Sequence, residues 1–304
     1  MSEQTILSRL ERKVRRLGLR LPGLVRGIGD DCAVYRPRGS AEDLLFTTDL
    51  LIEDVHFRAG DPARSIGHRV LARGLSDIAA MGGDPRFCLL SLALPRWADD
   101  AWLERFQRGF LRLARRAGAV LAGGDLARAE RLTCDIVVCG AVPRGKALMR
   151  SGARPGDAIY VSGRLGGAAL GLAMRSGAPW RLHLRPEPRL ALGRFLRQSL
   201  CATAAMDLSD GLSLDLHRLC LASGVSASLQ GELPRYPGAT EEQALHGGED
   251  YELLFTVRAG TRVPRRFERI LLTRIGTITC RNPGRVIYQG RQLQVGGYDH
   301  FRAT

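Results

Sequence analysis

Phe87-Cys88-Leu89-Leu90-Ser91-Leu92-Ala93-Leu94, then Asp99 through Ala117, Ala119-Val120-Leu121-Ala122 and Leu132 through Val142, are the stretches that decide the fold class. The first is a continuous apolar run of strand length, and the second has helical spacing behind an aspartate. The last two again read as strands, the shorter one ending in Gly123-Gly124-Asp125. On the N-terminal side, Pro62 to Met81 predicts a helix broken by Gly82-Gly83-Asp84-Pro85, and Leu44 to Asp49 predicts a strand. Before these come the turn Gly27-Ile28-Gly29-Asp30-Asp31 and a helix from Gln4 to Arg16 that stops at Gly18. Strands and helices mix here without a regular βαβ alternation, which predicts an α+β fold.

On the C-terminal side, Pro, Gly and Arg cluster from Pro143 to Gly156, so two domains are expected, 1–143 and 144–304. The second half predicts a strand from Ala158 to Ser162, a glycine loop, and helices Gly167 to Arg175 and Pro188 to Ser199. Ala204 to Gly211 is expected to open a helix reaching Ala222. Strands are expected at Ser226 to Gln230, Tyr251 to Val257 and Arg274 to Cys280.

The chain has 304 residues, with 45 Lys plus Arg against 31 Asp plus Glu, a net charge of +14. Only Lys13 and Lys146 are lysines, and the arginines are scattered from Arg9 to Arg302 rather than clustered, which argues against nucleic acid as a partner. Seven cysteines without a CxxC pair, most of them in apolar runs, favour a reducing cytoplasm over a disulfide framework. No apolar run approaches the ~18–20 residues of a membrane span, and the N-terminus lacks the apolar core of a secretory signal.

Several familiar motifs fail. Gly140 to Ala147 is one residue short of a P-loop, because Ala147 stands where a hydroxyl is needed. Gly74-Leu75-Ser76-Asp77-Ile78 lacks the closing glycine of a nucleophile elbow, and no histidine pair has zinc-ligand spacing. Gly163-Arg164-Leu165-Gly166-Gly167 reads equally as a phosphate loop or as a close-packed strand-to-helix turn. What remains is a set of aspartates beside glycine and apolar residues: Asp30, Asp31, Asp49, Asp77, Asp125, Asp207 and Asp210. Each alone reads as a cap or turn residue. Together they suggest hard oxygen ligands for magnesium carried by a polyphosphate, because buried carboxylates need a cation or a partner.

In order along the chain, Gly27-Ile28-Gly29-Asp30-Asp31, Thr47-Thr48-Asp49, Asp54-Val55-His56-Phe57, Leu75-Ser76-Asp77-Ile78-Ala79-Ala80-Met81-Gly82 and Gly123-Gly124-Asp125 resemble the motifs of the thiamine-monophosphate kinases. Arg150-Ser151-Gly152-Ala153, Asp207-Leu208-Ser209-Asp210-Gly211-Leu212, Gly247-Gly248-Glu249-Asp250-Tyr251-Glu252-Leu253 and Gly297-Tyr298-Asp299-His300-Phe301 continue the resemblance over nearly the whole chain. That family is grouped with aminoimidazole ribonucleotide synthetase.

The resemblance implies Mg-dependent, direct in-line transfer of the γ-phosphate of ATP to thiamine monophosphate. It implies a homodimer whose N-terminal sheets pair into a barrel-like interface, with the nucleotide between the domains, and it leaves a monovalent cation open. It assigns magnesium to Asp31, Thr47, Thr48, Asp49, Asp77, Asp125, Asp207 and Asp210, with Asp49, Asp125 and Asp210 as the catalytic set. ATP is assigned to Gly124, Asp125, Arg150 and Ser209, and the substrate to His56, Glu249 and Tyr298. Arg69 and Gly74 depart from the family pattern, where Lys and Asn are frequent. Gly74 thereby lacks a side-chain amide that would orient Asp77. Two related chemistries fit less well: no cysteine precedes Gly27 for selenophosphate synthesis, and Phe301-Arg302-Ala303-Thr304 offers no terminal cysteine for the hydrogenase-maturation reaction.

Overall fold

The computed structural model describes residues 3–279 and 282–301; Cys280, where the last predicted strand was expected to end, and Arg302-Ala303-Thr304 lie outside them. The N-terminal half runs α1 (Glu3–Arg16), β1 (Leu24–Arg26), β2 (Ala33–Tyr35), β3 (Glu42–Ile52), α2 (Ala63–Ala80), β4 (Asp84–Leu94), α3 (Asp100–Ala117), β5 (Val120–Arg128) and β6 (Thr133–Pro143). Its six strands form one open sheet in the order β1-β2-β3-β6-β4-β5, antiparallel except for the β4–β5 pair. No barrel closes among the described residues.

Alternation along β3 buries Leu45, Thr47 and Leu51 on the face that α2 covers, and turns Phe46, Thr48 and Leu50 to the other face. β3 is longer than Leu44 to Asp49 because it pairs with β6 along its whole length, from Glu42 opposite Pro143 to Ile52 opposite Thr133. β5 likewise does not stop at Gly123. It continues beside β4 to Arg128, and Gly124 permits this, since a Cβ there would stand 1.8 Å from the Leu90 carbonyl oxygen. Asp99 accepts the Trp102 N–H at 2.7 Å to start α3, and Gly118 at φ 71° ends it. α2 and α3 touch backbone to backbone: a Cβ on Gly67 would lie 2.1 Å from the Phe106 oxygen, and one on Gly109 would lie 1.9 Å from the Arg64 oxygen.

The C-terminal half contains β7 (Ala158–Ser162), α4 (Gly167–Met174), α5 (Gly177–Leu184), α6 (Leu190–Gln198), β8 (Ala204–Asp207), α7 (Leu212–Ser223), β9 (Ser226–Leu229) and α8 (Glu241–His246). After these come β10 (Leu253–Val257), β11 (Arg266–Phe267), β12 (Ile270–Thr279), β13 (Val286–Tyr288) and β14 (Arg291–Gln292). The sheet order is β14-β13-β9-β12-β7-β10-β8, with β11 paired to β12.

Ala204 to Asp207 is thus a strand and not the opening of a helix. All four residues are buried and pair antiparallel with β10, and α7 starts only after Gly211 at φ 113°. Sequence periodicity did not anticipate α5, whose eight residues are too few to show a helical face. A Cβ on Gly193 of α6 would lie 2.0 Å from the Ala79 oxygen of α2, so the two halves meet through backbone contact two residues along α2 from Asp77.

Candidate active site

Three segments are laced together by main-chain hydrogen bonds where the halves meet. The Glu249 N–H donates to the Ser209 oxygen (2.7 Å), Tyr251 N–H to Leu208 oxygen (2.9 Å), and Tyr298 N–H to Asp210 oxygen (3.0 Å). Asp215, fully buried on α7, accepts the N–H groups of Asp210 and Gly211 at 3.1 Å each and so holds the Asp207-Leu208-Ser209-Asp210-Gly211 turn. Glu249 and Tyr251 both have positive φ, 69° and 49°, a conformation that the surrounding bonds impose on them.

This turn and loop form one wall of a cleft of about 1480 Å³ that Asp49, His56, Asp77 and Arg150 line from other elements. At its base Asp31, Asp77 and Asp207 come from three separate segments, yet one carboxylate oxygen of each lies within 4.8 Å of the others. Thr47 donates its hydroxyl to Asp77, Ser76 donates to Asp207 at 2.7 Å, and Arg150 forks onto Asp31 through Nε (3.1 Å) and Nη2. The other Asp31 oxygen, Oδ2, is buried without a hydrogen-bond partner.

Burial pushes the Asp77 and Asp207 carboxyls far above their ordinary range, and each is raised further by its acidic neighbours. Asp30 is raised to about 6 by burial and then by Asp31. Carboxyls this close hold protons unless a cation joins them. An oxygen-only donor set with a buried, unpartnered oxygen matches what magnesium accepts.

A few residues away the chemistry differs. Asp49 is held by both arms of Arg73, Nε to Oδ2 at 2.9 Å and Nη2 to Oδ1 at 2.7 Å. Glu249 is paired with Arg69 and stands 3.1 Å from His183 Nδ1 and 3.8 Å from Arg73; against the opposing effect of burial, the two guanidiniums and the His183 contact hold its carboxyl well below the usual carboxylate range. His56 Nδ1 accepts the Ile52 N–H at 3.0 Å, which places the ring proton on the buried, unpartnered Nε2. Burial, followed by Arg73, pushes the His56 pKa down to about 3, so the ring is neutral. Asp210 pairs with Arg218, and Tyr298 lies at the rim with its ring 4.7 Å from that of His300.

Of the residues singled out from sequence, the structure therefore gathers Asp31, Asp77 and Asp207 with Thr47 and Arg150 beside them. Asp49, His56, Ser209, Asp210, Glu249 and Tyr298 line the same cleft. Gly124 and Asp125 do not join them, because they lie exposed on the edge strand β5. Thr48 also lines the cleft, but from the outward face of β3 and away from the three aspartates, with its hydroxyl donated to Asp135 at 2.8 Å. The glycine loop 163–167 is a packing turn: Asp250 takes the Gly166 and Ala168 N–H groups at 2.6 and 3.0 Å. Gly74 faces the core, with Val138 Cγ2 at 2.6 Å from a built Cβ, so there is no space for an amide directed at Asp77. Sequence reading missed Arg73, His183 and Asp215, since an arginine or a histidine among many carries no local signal.

The family model "AIR synthase related protein, N-terminal domain" matches residues 29–142. Thiamine-monophosphate kinase of Escherichia coli (strain K12) is 38% identical over 302 residues, covering 90% of this chain and 91% of that protein. The Bacillus subtilis (strain 168) protein of the same name is 33% identical over 306 residues, covering 91% and 93%. Among solved structures, "AaThiL complexed with AMPPCP and TMP" superposes with a TM-score of 0.86 at 29% identity over 99% of this chain and 97% of that one. A hydrogenase-maturation protein, HypE, shares the fold at 19% identity and TM-score 0.67. With two such relatives above 30% identity across nearly their full lengths, this chain belongs to the thiamine-monophosphate kinase family.

Proposed function

We propose that the protein transfers the γ-phosphate of ATP to thiamine monophosphate, forming thiamine diphosphate and ADP. The observation that carries this reading is the largely buried Asp31–Asp77–Asp207 cluster beside a cleft that His56, Glu249 and Tyr298 also line. The names of the relatives, and the nucleotide analogue and TMP in the AaThiL complex, support it.

Asp31, Asp77 and Asp207, with Thr47, would hold magnesium, whose charge offsets that of the two phosphate chains as they approach. Arg150, forked on Asp31, stands where a guanidinium can grip phosphate oxygens, and Ser209 faces the same space. In the same cleft, Glu249 sets a negative charge for a cationic thiazolium, and the Tyr298 ring offers a face for it. His56, which lines the same cleft, belongs to the substrate contacts in this reading. An oxygen of the substrate phosphate attacks the γ-phosphorus as the bridge to the β-phosphate breaks, leaving ADP.

The working unit in this proposal is a homodimer. Phe46 and Phe87 share one row of the outward sheet face, Leu89 and Val137 the next, and Leu50 shares a third with Ser91, Asp135 and Asp125. Leu50, Phe87 and Leu89 are 44%, 36% and 36% exposed there, an apolar face that a second copy would cover. In such a dimer, Gly124 and Asp125 would sit at the interface. The division into 1–143 and 144–304, a cytoplasmic location and any monovalent cation belong to the same proposal; no helix among the described residues is long and apolar enough to cross a membrane.

Incubating purified protein with ATP, magnesium and thiamine monophosphate, and separating the products by chromatography, tests the reaction. Thiamine diphosphate and ADP in equal amounts are expected. Absence of thiamine diphosphate overturns the proposal.

A further inference from the structure

Two groups of acidic residues in the cleft differ in charge balance. In the first, Asp30, Asp31, Asp77 and Asp207 are met, among the described residues, by two guanidiniums, Arg150 on Asp31 and Arg26 at 3.3 Å from Asp30. In the second, Asp49 and Glu249 are met by Arg69 and Arg73, so two carboxylates face two guanidiniums. The ordering is as different as the charge. Asp31 keeps a buried oxygen with no partner, whereas both oxygens of Asp49 are occupied in a fork with Arg73. Arg73 is itself set deep in the cleft wall, its side chain 13% exposed, between Asp49 on β3 and Glu249 on the loop before β10. A fork of this kind fixes direction as well as charge, and a divalent ion on Asp49 would have to displace a guanidinium that has no other carboxylate as close.

We propose that Arg73 is a resident cation of the active site: it holds Asp49 in place of a divalent ion and confines divalent cations to the Asp31–Asp77–Asp207 pocket. Arg73 is thereby a positioning residue for Asp49 and Glu249, tying the phosphate end of the cleft to the substrate end. The inference rests on the phosphoryl-transfer reading only for the purpose of the cleft. Its test uses neither ATP nor thiamine monophosphate.

The experiment is a Mn2+ titration of the full chain, reading free Mn2+ by electron paramagnetic resonance, on wild type, Arg73→Met, Asp49→Asn and the double variant. Arg73→Met is expected to bind one Mn2+ more per chain than wild type, and the double variant to return to the wild-type count. Asp49→Asn alone is expected to bind as many ions as wild type. Equal counts for wild type and Arg73→Met, or the loss of one ion in Asp49→Asn, would overturn the proposal. If Arg73→Met does not fold, with Asp49 left unpaired in the cleft wall, Asp49→Asn alone decides between these outcomes. A protein with this Mn2+ pattern and no kinase activity would refute the proposed reaction and leave the role of Arg73 standing.

Discussion

Ser76 on α2 donates its hydroxyl to Asp207 at the end of β8 across 2.7 Å, and neither side chain is open to solvent. With the Arg150–Asp31 fork, this bond joins the two halves of the chain at the base of the cleft, and it steadies a carboxyl that burial otherwise drives toward protonation. Ser76→Ala strands a buried acceptor, which costs about 1–3 kcal/mol. Chemical denaturation should show that loss, with part of it recovered when magnesium is added. Unchanged stability without magnesium would mean that the bond does not join the halves.

Gly74 should not tolerate a side chain. An alanine Cβ there would stand 2.6 Å from Val138 Cγ2, and Val138 is completely buried. Overpacking of this kind costs roughly 1–3 kcal/mol, more than the ~1 kcal/mol that alanine gains over glycine within a helix. Gly74→Ala is expected to lower the melting temperature and Gly74→Asn to lower it further. Pairing Gly74→Ala with Val138→Ala should restore part of the loss; a double variant no more stable than Gly74→Ala would refute the clash.

His56 gives stability a pH dependence of definite sign. Its folded-state pKa of about 3 lies below the ordinary 6.5, so between those values the unfolded chain binds a proton that the folded chain refuses. This contribution is fully present above pH 6.5 and is lost as pH falls through the window toward 3. Replacing His56 by Gln should therefore make the melting temperature fall less steeply from pH 7 to pH 5. Parallel curves for variant and wild type would contradict the assignment.

The outward face of the N-terminal sheet should be an interface. Leu89→Asp places a charge in the row shared with Val137 and Thr48 without touching the cleft. Sedimentation is expected to show a dimer for wild type and a monomer for the variant, with unchanged circular dichroism. A dimeric Leu89→Asp protein would place the contact elsewhere.

Much of this molecule is legible locally. Period-two burial marks β3, the apolar run marks β4, and Gly118 and Gly224 end α3 and α7, because each follows from one segment's own backbone and side-chain pattern. The errors arise where a neighbour overrides that pattern. β5 continues through Gly123 and Gly124 because β4 offers a full ladder, and Ala204 to Asp207 is a strand because β10 lies beside it.

By itself, the sequence determined the α+β class, the order of the acidic motifs and hence the family. It could not rank the aspartates. Asp31, Asp49 and Asp77 look alike in their glycine, threonine and leucine settings, and only docking of β3, α2 and β8 decided that Asp77 meets Asp31 and Asp207 while Asp49 meets Arg73. Charge balance is a sum over distances between segments remote along the chain. No local pattern contains those distances, so the choice between metal-seeking and arginine-held carboxylates belongs to the tertiary structure alone.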